Sequence, residues 1–397
     1  MLNSIFVALS GLQAHERALG VVSNNVSNMN TPGFRGSTVT FADVFIGTGP
    51  NGSLGGQQSI GGGVDGSRTQ VDVRAGDQQA TGRGLDLALS ADGFFVLQDE
   101  SGATRFTRNG NFDFDDDGEL ALLGLKAKVM ARTATGQLVP ISLKDLRASA
   151  AKPTTKVTLD GIISSGDGNG EVILESVSVF DKAGVQHTLR IVFTRQGGTP
   201  PPGVSVRWKM TVSEGPTEVG TADVDFFGND VVAGTSPLQV TLALKDTEPT
   251  SIAFDFEEVD GGPFGTESSL QVKEQDGFGA GIIATRTFDA KGVLKITYTN
   301  GQSVDGAKLA LARIADQDAL VQLGDSLLEY RGEQAVEVGE ADDSLQVLSQ
   351  VLEGSNVSLT REFGRLILVQ RGYQASSQVM STASEMMQEL LSLRDRR

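Results

Sequence analysis

The strongest constraint in this sequence is a change of hydrophobic period between its ends and its middle. Leu2, Ile5, Leu9, Leu12 and Leu19 recur at the three-and-four spacing of one helix face. Asn24, Asn25, Asn28 and Asn30 then weaken helical preference, and Thr31-Pro32-Gly33 ends the segment. At the other end Leu366, Tyr373, Met380 and Met387 fall seven apart, with Val369, Ser376, Ala383 and Leu390 at the intervening positions. That spacing is the seam of a coiled coil, softened by small residues. Gly364 and Gly372 lie within it, and each glycine costs about 1 kcal/mol relative to alanine. Such a helix is expected to draw its stability from a partner.

Between these ends the alternation is strand-like. Gln70-Val71-Asp72-Val73 starts it; Leu189, Ile191 and Phe193, then Leu238, Val240, Leu242 and Leu244, then Leu294, Ile296 and Tyr298 continue it. Asp117-Gly118, Lys182-Ala183-Gly184 and Asn300-Gly301 supply turns. Residues 47–66 hold nine glycines in twenty positions and read as a flexible or irregular connector. Further breaks fall at Ser149-Ala150-Ala151-Lys152-Pro153 and at Asp276-Gly277-Phe278-Gly279-Ala280-Gly281. The expected fold is mainly β with paired terminal α-helices in a nested, multidomain plan. Residues 1–30 and 358–397 form the helical domain, 31–70 the connector, 71–148 and 284–357 a discontinuous first β domain, and 149–283 an inserted outer β domain.

Charge follows the same division. The chain carries a net charge of -17, yet its first 46 residues balance to zero and its last forty sum to +2, so -19 lies between them. Near-neutral ends around an acidic middle are expected when the ends pack together and the middle faces solvent. The acidic balance argues against a nucleic-acid partner. With no cysteine in the chain, disulfides, thiolate zinc sites, iron–sulfur clusters and cysteine nucleophiles are excluded. No run of about 18 apolar residues exists, so membrane insertion is not expected. Met1-Leu2-Asn3-Ser4-Ile5-Phe6 lacks the basic start of a cleaved secretory signal.

Candidate chemical motifs are incomplete. Asp113-Phe114-Asp115-Asp116-Asp117-Gly118 begins like a calcium loop, but Gly124 stands where the bidentate glutamate belongs, and the flanking residues read as strands around an acidic turn. His15-Glu16 starts a zinc-protease pattern whose second imidazole position is Leu19, and His187 is the only other histidine. Gly61-Gly62-Gly63-Val64-Asp65-Gly66 matches a dinucleotide pattern without opening a helix. Gly301 and Gly306 have P-loop spacing but are followed by Ala307 then Lys308. Acids are plentiful, and no pair is singled out for hydrolysis. No catalytic, cofactor or metal residue is therefore assigned, and no enzyme activity is expected.

The ends do carry a specific likeness. Ser10-Gly11-Leu12-Gln13-Ala14 and Ser23-Asn24-Asn25-Val26-Ser27-Asn28-Met29-Asn30-Thr31-Pro32-Gly33-Phe34-Arg35 resemble the N-terminal signature of bacterial flagellar rod and hook proteins. Glu353-Gly354-Ser355-Asn356-Val357, Gln370-Arg371-Gly372-Tyr373-Gln374-Ala375-Ser376-Ser377 and Ser381-Thr382-Ala383 resemble the C-terminal signature of that family. Gly82-Arg83-Gly84-Leu85-Asp86-Leu87-Ala88-Leu89, Asp92-Gly93-Phe94-Phe95-Val96 and Phe106-Thr107-Arg108-Asn109-Gly110-Asn111-Phe112 resemble its shared core. Length and the β insertion, with Val177-Ser178-Val179-Phe180-Asp181 and His187-Thr188-Leu189 near its start, point to the hook branch rather than the shorter rod branch.

The resemblance implies a self-assembling subunit of an extracellular helical tube, a bendable joint carrying torque from rod to filament. It implies partners: the chain itself, the distal rod protein, the hook-cap scaffold, the hook–filament junction proteins and the flagellar type III export apparatus. Export would proceed without a cleaved signal peptide. A distal rod subunit or other axial protein is the alternative within the family. The terminal apolar stripes would be the polymerisation surface.

Overall fold

The structure, a computed structural model, describes residues 2–46, 60–133, 135–164, 170–244, 248–261 and 267–395. They divide into two compact units, one of Met1–Asp145, Thr285–Ile296 and Val304–Arg397, the other of Leu146–Ala284 and Thr297–Ser303. The fold is mainly β with one helix at each end: α1, Leu2–Ser27, and α2, Leu359–Asp395.

In the first unit α1 ends where the asparagine run begins to compete with it. Asn28 turns its Nδ2 back onto the Asn24 carbonyl at 2.9 Å, and Gly33 takes a left-handed φ of +67° that reverses the chain. Strand β1, Ser37–Ile46, follows and pairs antiparallel with β2, Ile60–Val71. This ribbon gives regular structure to residues 60–66 of the stretch 47–66 expected to be flexible or irregular; residues 47–59 lie outside the described ones. Glycines hide a strand from period-two reading because they contribute no apolar alternation. Their role here is close approach. A Cβ on Gly63 would stand 2.2 Å from Ser10 Oγ, and one on Gly66 would stand 2.7 Å from the Ala14 Cβ. The ribbon thus lies directly on α1, and the Val64 N–H donates to Ser10 Oγ at 3.1 Å.

The body of this unit is a sheet in which strands Leu320–Gly324, Leu327–Tyr330, Thr104–Thr107, Phe94–Gln98, Lys128–Arg132, Leu120–Leu122 and Phe112–Phe114 lie side by side. Phe94, Val96, Phe106, Met130, Leu320 and Leu328 form its core. The second half of the acidic run, Asp115, Asp116 and Asp117, lies in the hairpin turn between the last two of these strands, with Gly118 at φ +79°. Two short pairings bring distant parts of the chain together: Gln78–Ala80 with Val351–Glu353, and Leu87–Leu89 with Val347–Ser349.

The second unit has two sheets around one core. An antiparallel meander runs Glu171–Phe180, Gln186–Arg195, Val206–Glu214, Thr217–Phe227 and Asp230–Val231. The other sheet orders Leu238–Leu242, Thr250–Asp260, Lys156–Ile162 and Gln271–Gln275, with the middle two parallel. Leu189, Ile191 and Phe193 point into the core with Val240, Leu242, Trp208, Phe254 and Phe256, as their alternation requires. Asp276 ties residues 152–156 of this unit: it accepts from the Thr155 N–H at 2.8 Å, the Thr155 hydroxyl at 2.6 Å and the Lys156 N–H at 2.9 Å, and faces Lys152 at 3.2 Å. Burial raises its pKa, but these hydrogen bonds outweigh burial and hold the carboxyl below the usual carboxylate range.

Two outcomes follow. Gly66→Ala should destabilise the first unit by about 1–3 kcal/mol through overpacking, whereas Gly364→Ala, which faces open space, should stabilise it by about 1 kcal/mol; urea unfolding followed by circular dichroism reads both. Because the Asp276 pKa is depressed on folding, its contribution is present above the unfolded value of about 4 and is lost as pH falls below it. Asp276→Asn should therefore lower stability at pH 7 and flatten the acid limb of the second unit's unfolding profile. Parallel profiles for the two proteins would count against this assignment.

Candidate assembly interface and its anchor

The two terminal helices pack against each other in antiparallel order. Asn25 meets Glu362, a Cβ on Gly372 would stand 2.4 Å from the His15 ring, and a Cβ on Gly11 would stand 2.9 Å from Ser376 Oγ. Each step back along α1 is matched by an equal step forward along α2. The face of α1 that is buried carries Ala8, Gly11, Ala14, Ala18, Val22 and Asn25. This differs from the expected leucine stripe. Ile5 and Leu12 are half-buried, Leu9 and Leu19 are 40% and 39% exposed, and the side chain of Leu2 lies outside the described residues. Alanine and glycine let helix axes and the ribbon approach closely, so the leucines are displaced to the flank.

On α2 the seam holds in part. Ala383 is buried, and Leu366, Val369, Ser376, Met380 and Met387 are half-buried. Tyr373 and Leu390 stand out at 47% and 49% exposure. The reason at Tyr373 is its neighbour: the His15 ring occupies the space over Gly372, so the inward position belongs to the glycine and the next residue turns away. Exposed apolar side chains flank the seam, including Phe6 at 63%, Ile367 at 52%, Leu368 at 69% and Val379 at 51%.

The base of the helix pair is anchored by a polar cluster. Asn25 is 1% exposed and fully engaged: its Nδ2 donates to the Ser37 carbonyl at 2.8 Å and to Glu362 at 3.1 Å, and its Oδ1 accepts from the Ser37 N–H at 2.9 Å. Thr31, Pro32, Gly33 and Phe34 form the turn that follows. The Gly33 N–H donates to the Glu353 carbonyl at 2.7 Å, and a Cβ at Gly33 would stand 2.2 Å from the Asn109 nitrogen. One residue beyond Phe34, Arg35 meets the Glu353 carboxylate at 2.5 Å, while Arg108 reaches its other oxygen at 3.2 Å. All three side chains are 1–2% exposed. The Gly76 N–H adds a bond to Glu353 at 2.8 Å, and Arg108 also donates to the Ala91 carbonyl at 2.8 Å and lies over the Phe94 ring at 5.4 Å. Burial pulls the Arg108 pKa below its ordinary value, Glu353 opposes that shift, and Arg35 adds to it. Asn356 completes the cluster by accepting from the Gly36 N–H at 2.8 Å and donating to the Asp72 and Arg74 carbonyls.

The structure thus brings Asn25, Thr31, Pro32, Gly33 and Phe34 together. Asn24 and Asn28 bond to each other at 3.0 Å at the end of α1, and Asn30 is exposed. Gln370, Arg371 and Gln374 lie on the exposed face of α2, away from this cluster. Sequence reasoning passed over Arg35, Arg108, Glu353, Asn356 and Glu362 as interacting residues. For all but Glu362, which lies in none of the family-like motifs, the signal was present only as membership in those motifs, because charges 318 and 245 positions apart cannot be paired by spacing. Among the described residues no group of three metal-binding side chains occurs, and no helix is long and apolar enough to cross a membrane.

Each charge of this anchor falls in a segment that matches a known family. Residues 5–35 match the model described as "Flagella basal body rod protein", 88–124 the "Flagellar hook protein FlgE/F/G D1 domain", and 348–393 the "Flagellar basal body rod FlgEFG protein C-terminal". Three segments of the chain are thus similar to flagellar rod and hook proteins. Over nearly its whole length the chain is similar to flagellar hook proteins. It is 26% identical to the flagellar hook protein of Treponema pallidum, over 99% of this chain and 100% of that one. It is also 26% identical to that of Escherichia coli, over 98% and 99%. A Helicobacter mustelae hook protein is 43% identical over 133 residues, which are 31% of this chain and 29% of the relative. A crystal structure of a Helicobacter pylori flagellar hook protein shares the fold, with a TM-score of 0.50 at 12% identity, covering 69% of this chain and all of that one.

Removing the central acid should be costly. Glu353→Gln leaves two buried guanidinium groups without their counter-charge, at a cost of about 3–5 kcal/mol. The measurement is the thermal midpoint of the first unit; a change no larger than that of a surface substitution would contradict the anchoring role.

Proposed function

We propose that this chain is a structural subunit of the bacterial flagellar hook, assembling with copies of itself into a helical tubular polymer that works as a flexible universal joint between rod and filament. The observation that carries this reading is the sorting of apolar residues on the terminal helices. Small residues bury within the chain while Phe6, Ile367, Leu368 and Val379 remain exposed, as a surface awaiting further subunits requires. A heterologous contact that does not close generates a filament, and such a polymer needs no catalytic group; we assign the chain no enzyme activity. The helix pair would pack in coiled-coil fashion along the inner tube. The β domains, first at 71–148 and 284–357 and inserted at 149–283, would lie outward with the acidic charge. The subunit would leave the cell through the flagellar type III export apparatus, without a cleaved signal, and take its place outside it. There it would meet the distal rod protein, the hook-cap scaffold during growth and the hook–filament junction proteins. A distal rod subunit is the second reading, and the β residues 149–283 favour the hook.

Electron microscopy of the purified full-length chain in polymerising salt should show tubes. Proteins lacking residues 2–27 or 359–395 should lose them while keeping the second unit folded. Tubes from either truncated protein, or a full-length chain that stays monomeric, would overturn the proposal.

A further inference from the structure

The polar anchor carries more positive charge than its one buried acid balances. Arg35 and Arg108 share the Glu353 carboxylate, and all three side chains are 1–2% exposed. Among the described residues, Asp92 is the only other acid paired with either arginine. It stands 3.8 Å from Arg108 at 81% exposure, where water screens it. Two buried cations therefore face one buried anion. Hydrogen-bond donors are in excess as well. Glu353 already accepts from the Gly76 N–H and from both guanidinium groups. Nε and Nη1 of Arg35 and Nε of Arg108 are buried without a protein acceptor. Those two atoms of Arg35 carry three of the five N–H donors of a guanidinium. Buried donors are nearly always met by protein, water or an ion; an anion offsets the charge as well, which water does not. Arg35 also lines a pocket of about 510 Å³ with Asn24, Gly33, Phe34, Gln322 and Asp325. Asp325, the acid among these, is exposed to solvent.

We infer that Arg35 and Arg108 bind a small monovalent anion of the chloride class, held by the unpartnered N–H donors of the two guanidinium groups. One excess positive charge calls for one negative charge, and the pocket brings solvent ions as far as Arg35. The site lies within a single chain, so it acts in the monomer and does not depend on assembly. Its place is the junction where the chain leaves α1 and, through Glu353, approaches α2. The bound anion completes the counter-charge there: Glu353 holds the two arginines on one side, and the anion relieves their mutual repulsion on the other. Because it binds the folded junction and not the unfolded chain, it stabilises the first unit by mass action.

Trp208 supplies an internal control. It is the one tryptophan of the chain and is buried in the core of the second unit, so its fluorescence follows that unit alone, while circular dichroism follows both. Thermal unfolding of the monomeric full-length chain is recorded as chloride replaces gluconate at constant ionic strength. The first unit's midpoint should rise by about 3–6 °C for each tenfold increase in chloride above half-saturation, while the Trp208 midpoint stays fixed. Arg35→Met removes the excess charge together with its unpartnered donors and should abolish the response. Arg331→Gln, at a side chain 63% exposed, should keep it. Where Arg35→Met leaves the first unit unfolded, the wild-type comparison of the two transitions decides by itself. A first-unit midpoint indifferent to chloride would overturn the site, as would one that moves together with the Trp208 midpoint. So would a chloride response that survives in Arg35→Met.

Discussion

One buried carboxylate holds the first unit together. Glu353 lies between Arg35 and Arg108, guanidinium groups contributed from 318 and 245 positions away. Taking three charges out of water is costly; Glu353 is also held by the Gly76 N–H, and Arg108 by the Ala91 carbonyl and the face of Phe94, whereas the Arg35 guanidinium is held by Glu353. Breaking one partner leaves the others exposed to the full desolvation cost. The cluster therefore fixes where the chain leaves α1 and where it enters α2, and Asn25 and Asn356 stitch the same junction through backbone groups. The assembly role proposed for the helices would depend on this base being rigid.

Above that base, side-chain size decides which contacts are internal. Alanines and glycines on α1 admit α2 on one side and the β1–β2 ribbon on the other, with Gly66 against Ala14 and Gly372 under His15. Close approach of backbones uses up the small residues and leaves leucine, isoleucine and phenylalanine on the flanks. In a monomer such flanks carry an unfavourable apolar exposure; in the proposed polymer they would be the surface that neighbours bury. The glycines that weaken α2 as an isolated helix are thus tolerated for packing, at least at position 372.

Much of the architecture was legible in the sequence. The helical period at each end marks a helix, and the alternation at 189–193 and 238–244 marks strands whose apolar face is buried as the spacing implies. The acidic turn between strands at 112–114 and 120–122 was correctly read. Three features were not legible, each for a physical reason. The strand at 60–71 is rich in glycine, which leaves no apolar alternation to detect. The buried stripe of α1 is alanine, which a search for large apolar residues passes over. The Arg35–Glu353–Arg108 cluster is assembled by long-range pairing, and no local spacing encodes it. The motif likeness pointed to these residues without saying what they do.

In the proposed tube the terminal helices would form the inner, assembling layer and the acidic β residues the outer, hydrated one. Electron cryo-microscopy of tubes grown from the full-length chain tests that most directly. The account predicts density for α1 and α2 along the inner wall, in contact with neighbouring subunits, and density for residues 149–283 on the outside. Tubes whose inner wall is β structure, with the helices facing solvent on the exterior, would contradict it.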